Sequence, residues 1–496
     1  MSMAIDTTST TAPVAEPAAP RLSPRDRLVL FVLCAAQFMV ALDFSVLNVA
    51  LPVLGADLGM STSALQWAVT AFALPSGGFL LLFGRMGDLY GRRRLFLAGL
   101  ALFGAASLLA AFAWDPASFL AGRALQGLGA AAIVPTGMSL LTTTFPEGPA
   151  RDRALGISGT LLSLGFTVGM VAGGVLTDLL SWRSTMGLLA LFALVVLPLA
   201  PALLPESLPH GVKGMGGAPV PERPRLDVPG AVTVTGGLLA LIYALSTAAE
   251  HGFGRTDVLV TLVAGLLLLA AFALVESRTD QPLVSLPMLR RRTVAWGNLG
   301  GLVTFSMMST VVFVLTLYLQ EILGLTAFET GLVFGVQGVL SVVAGSYAPR
   351  VIGRFGARRT LVGSLAGQGV LVLSLLALGQ GGWSVVLATA AVSLASMCHL
   401  GAIISYGLTV TSGVPDEEQG LATGLVTSTQ QVGVTVGIPL LGVLATTSSD
   451  LMSGVHTVLV LDAVIVLAAA ALVAAGLRTR RTTGSGTVEA EPLRAR

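Results

Sequence analysis

Charge is scarce in this sequence: Asp, Glu, Lys and Arg together make up 11% of its 496 residues, against 54% hydrophobic. Soluble domains carry about 25% charged residues, so an ordinary water-facing surface is excluded. Lysine occurs once, at Lys213, against 27 arginines, which points to a GC-rich, bacterial genome. Cysteine is nearly absent. Cys34 and Cys398 both fall in apolar runs, which argues against a disulfide framework and a cysteine-based metal site. The four histidines form no H-E-x-x-H pair, and no P-loop Gly-Lys-Ser/Thr occurs, so the chain offers no catalytic, metal-binding or nucleotide-binding constellation. It is read as a non-enzyme without a cofactor, and a net charge of +2 marks no nucleic-acid partner.

What the chain has in abundance is apolar runs of membrane length. A hydrocarbon core about 30 Å thick needs roughly 20 apolar residues per helix. Fourteen such runs occur, at about 28–50, 65–84, 95–113, 119–144, 154–177, 185–204, 229–248, 258–275, 296–319, 330–352, 360–379, 384–406, 420–445 and 456–476. Mean hydropathy is +0.84, and the fold class is an all-α polytopic membrane protein. With both termini in the cytoplasm, 25 of the 28 basic residues lie on the inner side. Only Arg183 and Arg255 face outward, and Arg123 lies within a span. That asymmetry supports an even count of spans and a cell-membrane location, although the inner loop SGVPDEEQG lacks a basic residue.

The runs divide the chain. Residues 1–27 and 477–496 read as polar cytoplasmic tails, and 205–228 as a cytoplasmic linker. On either side lie two six-helix bundles, 28–204 and 276–476, with two inserted helices at 229–275. An internal echo relates the bundles. GRMGDLYGRRRLFLAG (84–99) matches GRFGARRTLVGS (353–364), placing Gly91 on Gly356 and Arg93 on Arg358. Parallel six-helix repeats build one large class of transporters.

Polar groups inside the spans carry the functional signal. Asp43 interrupts the first run, and Arg123 enters the fourth from outside, followed by Gln126, Gly127 and Gly129. An arginine at the centre of a bilayer costs about 2.5–3.5 kcal/mol on insertion scales, so it requires a carboxylate, carbonyls or water. Counting about 1.5 Å per residue, Asp43 and Arg123 agree in depth to roughly 10 Å. Gly165, Gly169, Gly173 and Gly174 fall largely on one helical face, where small residues permit close helix packing.

These segments resemble the major facilitator superfamily. Gly84, Asp88, Gly91, Arg92 and Arg93 match its signature between the second and third spans, which implies that they gate the inward and outward states. The segment at 123–137 resembles its fourth-span motif, implying that Arg123 takes part in proton transfer. The fifth-span glycines resemble the antiporter motif, with Met170 where that motif has proline. LDFSVLNVALP (42–52) is similar to the first-span signature of the fourteen-span drug:proton antiporters.

That resemblance implies a multidrug-efflux antiporter working by alternating access, with Asp43 and Arg123 coupling protons to an amphipathic small-molecule substrate. The altered antiporter motif leaves a proton-coupled importer or facilitator as the alternative. Phe38, Asn48, Gln126, Gln337, His399 and Gln430 are candidate cavity residues. Asp462, in the last span, is expected to find a buried partner because a lipid-exposed acid is expensive.

Overall fold

The computed structural model describes residues 23–145, 149–204, 227–252, 254–279, 286–414, 419–442, 444 and 450–478. Most of the predicted tails and linker lie outside the described residues. Among the described residues all regular structure is helical. The first half comprises α1 (Pro24–Leu58), α2 (Thr62–Gly78), α3 (Leu80–Tyr90), α4 (Arg92–Ala111), α5 (Pro116–Thr144), α6 (Pro149–Leu179) and α7 (Trp182–Leu203). Then come α8 (Val228–His251), α9 (Thr256–Glu276) and a short α10 (Leu286–Leu289). The second half has α11 (Arg292–Leu317), α12 (Ala327–Phe355), α13 (Ala357–Ser374), α14 (Trp383–Thr411), α15 (Gln419–Gly437) and α16 (Leu451–Gly476).

Among the described residues, each of the fourteen apolar runs falls largely on helix. Eleven helices are long and apolar enough to cross a membrane, and α2 with α3 makes a twelfth span if the bent pair is taken as one. α8 and α15 do not meet those limits among the described residues. The second run departs from a single straight helix. Its halves meet at 43° around Phe79, just after Pro75, Gly77 and Gly78. Proline removes one backbone donor and its ring crowds the preceding turn, which is a sufficient cause of the bend.

Helix ends follow local chemistry. Ser23 and Asp26 form a capping box that starts α1 four residues before the apolar run, and Thr326 with Glu329 does the same for α12. The sequence echo is also a structural one. Gly91 (φ 109°) and Gly356 (φ 81°) each form the single-residue joint between two helices, in backbone conformations that side chains disfavour. Two residues on, Arg93 donates to Pro201 O near the end of α7, and Arg358 donates to Ala474 O (3.1 Å) near the end of α16.

Packing places α1 against α5, α6 and α7, and α11 against α14, α15 and α16. α8 pairs with α9 and leans on α2. The halves meet through α6 on α12 and α2 on α15. Glycines make the first of these contacts possible. A methyl added at Gly331 would lie 2.7 Å from Met170 O, and one at Gly335 would lie 2.7 Å from Val171 Cγ2. Two hydrogen bonds tie the halves: Gln320 Nε2 donates to Val49 O (2.8 Å), and Phe328 N to Asp178 Oδ2 (2.9 Å).

Candidate functional site

Tight packing of α1 on α6 positions the first polar residue. Methyls at Gly165 and Gly173 would lie 2.8 Å from Phe38 O and 2.6 Å from Val46 O, and one at Gly169 would overlap Ser45 Oγ. Three of the four motif glycines therefore form one seam at i, i+4 and i+8. Gly174 lies on a different face, where an added methyl would be 2.8 Å from Phe328 Cα of α12. Met170 is buried in an α6 that runs unbroken from Pro149 to Leu179.

On another face of α1, Asp43 meets Arg123 of α5. Asp43 Oδ1 accepts from Arg123 Nη1 at 2.6 Å, and the two side chains are 0% and 1% exposed. Arg123 Nε donates to Ala68 O on α2 (3.1 Å), and its Nη1 also donates to Gln126 Oε1 (2.8 Å). Its guanidinium carbon sits 4.6 Å from the ring centre of Phe72, which Phe44 meets edge-on. Gln126 Nε2 then donates to Ser107 Oγ on α4 at 2.8 Å. Asp43 Oδ2 has no hydrogen-bond partner among the described residues.

This shell joins α1, α2, α4 and α5 around one ion pair. Desolvating both charges is costly, and their mutual attraction offsets it only when the remaining donors are satisfied. Arg123 meets that condition through Ala68 and Gln126. Asp43 does not, because one oxygen is left open to take a proton. Protonation of that carboxyl would cancel the charge that holds Arg123, so the site can exchange an ion pair for a neutral acid.

The other candidate residues are spread through the molecule. Gln126 lies fully buried within the Arg123 shell. Phe38 is half-buried against Phe192, and Asn48 Nδ2 donates to Phe44 O (2.7 Å). Gln337 of α12 is buried with Oε1 unpartnered, and Gln430 of α15 is half-buried. In the second half Thr304 Oγ1 donates to Gln368 Oε1 (2.6 Å) and lies 2.9 Å from His399 Nδ1. With the amide oriented so, His399 Nδ1 holds the ring proton toward Thr304 and Nε2 is left as an acceptor.

At the inner joint, Gly84 sits in ordinary contact with Pro135, and Gly91 and Arg93 act as described above. The Asp88 side chain lies outside the described residues. A cavity of about 480 Å³ opens between the N-terminal parts of α1 and α6, lined by Arg27, Phe31, Cys34, Arg153, Ile157 and Leu161 among others. It ends one turn below Phe38 and does not reach the ion pair. Sequence reading missed this lining, because apolar residues facing a cavity look like those facing lipid. It also missed Ser107, Thr304 and Gln368, whose polarity inside apolar runs was the available signal.

An all-helical bundle of membrane-length helices, two related halves and a buried ion pair define a multi-pass membrane transporter. The chain matches the Major Facilitator Superfamily over residues 33–433 and 297–495, and it belongs to that family. It is 37% identical to the cephamycin export protein of Amycolatopsis lactamdurans, covering 94% of this chain and 95% of that one. It is 38% identical to a puromycin resistance protein of Streptomyces alboniger (88% and 84%). A probable actinorhodin transporter of Streptomyces coelicolor is 34% identical (84% and 72%). Among solved structures, the POT family transporter PepTSo superposes with a TM-score of 0.68 at 15% identity, covering 92% of this chain and 98% of that one. That likeness is one of fold. The chain is therefore a transporter of the major facilitator fold and not an enzyme.

Proposed function

We propose that the chain exports amphipathic antibiotics or drugs from a bacterial cell in exchange for protons, by alternating access. The observation that carries this reading is the sealed Asp43–Arg123 pair with Asp43 Oδ2 unpartnered. Relatives named for cephamycin export and for puromycin resistance supply the substrate class. Both termini lie in the cytoplasm in this reading, in keeping with the arginine distribution.

The cycle follows from the electrostatics. An outward-open state lets Asp43 take a proton from the acidic side, which removes its charge and frees Arg123. Inward opening hydrates the site, the proton leaves, and the ion pair re-forms. A substrate that binds better to one protonation state is thereby moved against the proton flow. The outer ties at Val49–Gln320 and Asp178–Phe328, and the cavity at the inner end of α1 and α6, favour an inward-facing resting form.

The test uses everted membrane vesicles holding a preset pH gradient. Adding cationic, neutral and anionic antibiotics in turn is expected to dissipate the gradient through the native protein for at least one compound, and not through Asp43→Asn. Equal responses from both proteins would remove Asp43 from the coupling step. Substrate-driven uptake in the opposite direction would establish an importer.

A further inference from the structure

A second buried acid lies far along the chain from Asp43. Asp462 sits midway along α16, 0% exposed, and neither of its carboxyl oxygens has a hydrogen-bond partner. The buried partner expected from sequence is not there. α16 packs on α11 and α13. The charged and titratable side chains of α11 and α13 are Arg292, Arg358 and Arg359, all in the first turns at their inner ends. Asp462 is 14 residues from the inner end of α16, about 21 Å by helical rise. Tyr318 and Glu321 occupy the turn at the outer end of α11, and His456 lies nearer the outer end of α16 itself. Tyr318 Oη is committed to Gly379 O. No cation on these elements stands at the depth of Asp462.

An unpaired carboxylate in such a place costs several kcal/mol, whereas the neutral acid costs far less. Here Asp462 therefore carries its proton. What it lacks is a donor for the charged form, and a neighbouring helix has one to spare. Gln368 of α13 is 0% exposed, its Oε1 is engaged by Thr304, and its Nε2 is unpartnered. The two helices touch beside these residues: a methyl at Gly369 would lie 2.8 Å from Leu467 Cγ and 3.4 Å from Ala463 O. The next residues along the two helices, Gly369 and Ala463, are thus in contact, with a buried donor lacking an acceptor on one helix and a buried acceptor pair lacking a donor on the other. Thr304 and His399 continue the polar line from Gln368 toward the half-buried face of α14.

We infer that Asp462 is a second proton-binding site, placed in the C-terminal half, whose ionised form is received by the Gln368 side-chain amide. On release the carboxyl O–H bond breaks, the proton passes to water, and the carboxylate accepts the Gln368 Nε2 hydrogen. The transporter then holds one protonatable carboxyl in each half. This inference rests on the proton-coupled reading above, for its role in transport.

Infrared spectra of the purified protein in liposomes test it without a known substrate. The native protein is expected to show a protonated-carboxyl carbonyl band at neutral pH that Asp462→Asn removes and that alkaline titration bleaches. Gln368→Leu, which keeps the acid but removes its receiving donor, is expected to move the bleaching midpoint to higher pH. A band unaffected by Asp462→Asn, one that never titrates, or a midpoint unmoved in Gln368→Leu overturns the inference. If Asp462→Asn does not fold, the Gln368→Leu midpoint decides alone. A titrating band in a protein that exchanges no proton for any drug would instead refute the coupling reading and leave the site standing.

Discussion

Arg93 and Arg358 are equivalent in the two halves of the molecule: each donates through Nη2 to a backbone carbonyl two residues before the end of the last helix of its half. A helix C-terminus has unpaired carbonyls and a partial negative charge, which a guanidinium satisfies. The glycine joint two residues earlier aims each arginine at that target. A loop whose arginines would follow from the positive-inside rule alone is thus also a fastener between non-adjacent helices.

Removing either fastener is expected to cost stability in similar measure. Arg93→Ala and Arg358→Ala should each lower stability by about 1–2 kcal/mol, and the lysine variants should recover part of it. Thermal unfolding of the protein in detergent micelles reads the difference. A large loss in one half with none in the other would break the equivalence.

Breaking the buried ion pair from one side should be far more damaging than removing it whole. Arg123→Met leaves Asp43 buried without its partner and is expected to cost about 3–5 kcal/mol. Asp43→Leu combined with Arg123→Met replaces both charges with apolar groups and should restore most of that stability while leaving export uncoupled. Chemical unfolding of the single and double variants, set beside vesicle transport, separates folding from coupling.

The α1–α6 seam has no room for a side chain. Gly169→Val would drive a methyl group into Ser45 Oγ and the Leu42 carbonyl, so loss of folded protein is expected. Gly187→Ala is the control: nothing lies within 4 Å of its added methyl, and a helix interior gains about 1 kcal/mol from the exchange. Yield of monodisperse protein after size-exclusion chromatography distinguishes the two. Equal yields would show that the seam tolerates expansion.

Asp115 at the start of α5 gives a pH signature. Its carboxyl is held below the ordinary carboxylate range by the Ser118 side chain and by the Ser118 backbone N–H, which donates at 2.7 Å. A lowered folded-state value means that the stabilisation is present above the unfolded-state value and is lost as pH falls through the folded one. Asp115→Asn should keep the cap and lose this pH dependence, while Asp115→Ala loses the cap as well. Melting temperatures across acidic pH provide the comparison.

The amino-acid sequence by itself determined the helical class, the order of the apolar runs, the repeat of the glycine–arginine joint and the two buried charges whose depths allow them to meet. Those features are written in local terms: hydrophobic length, a positive-φ glycine, and the expense of charge in lipid. Asp43 and Arg123 were legible because a charge inside an apolar run is unfavourable unless something compensates it. Tertiary structure alone decided which neighbours do so. Ala68 and Phe72 come from α2 and Ser107 from α4, and Gln126 proved to belong to their shell. It also divided the motif glycines between α1 and α12, and it left the carboxyl oxygens of Asp462 without a partner among the described residues. Hydropathy gives each helix its length but not its rotation about its own axis, and that rotation fixes which residues meet.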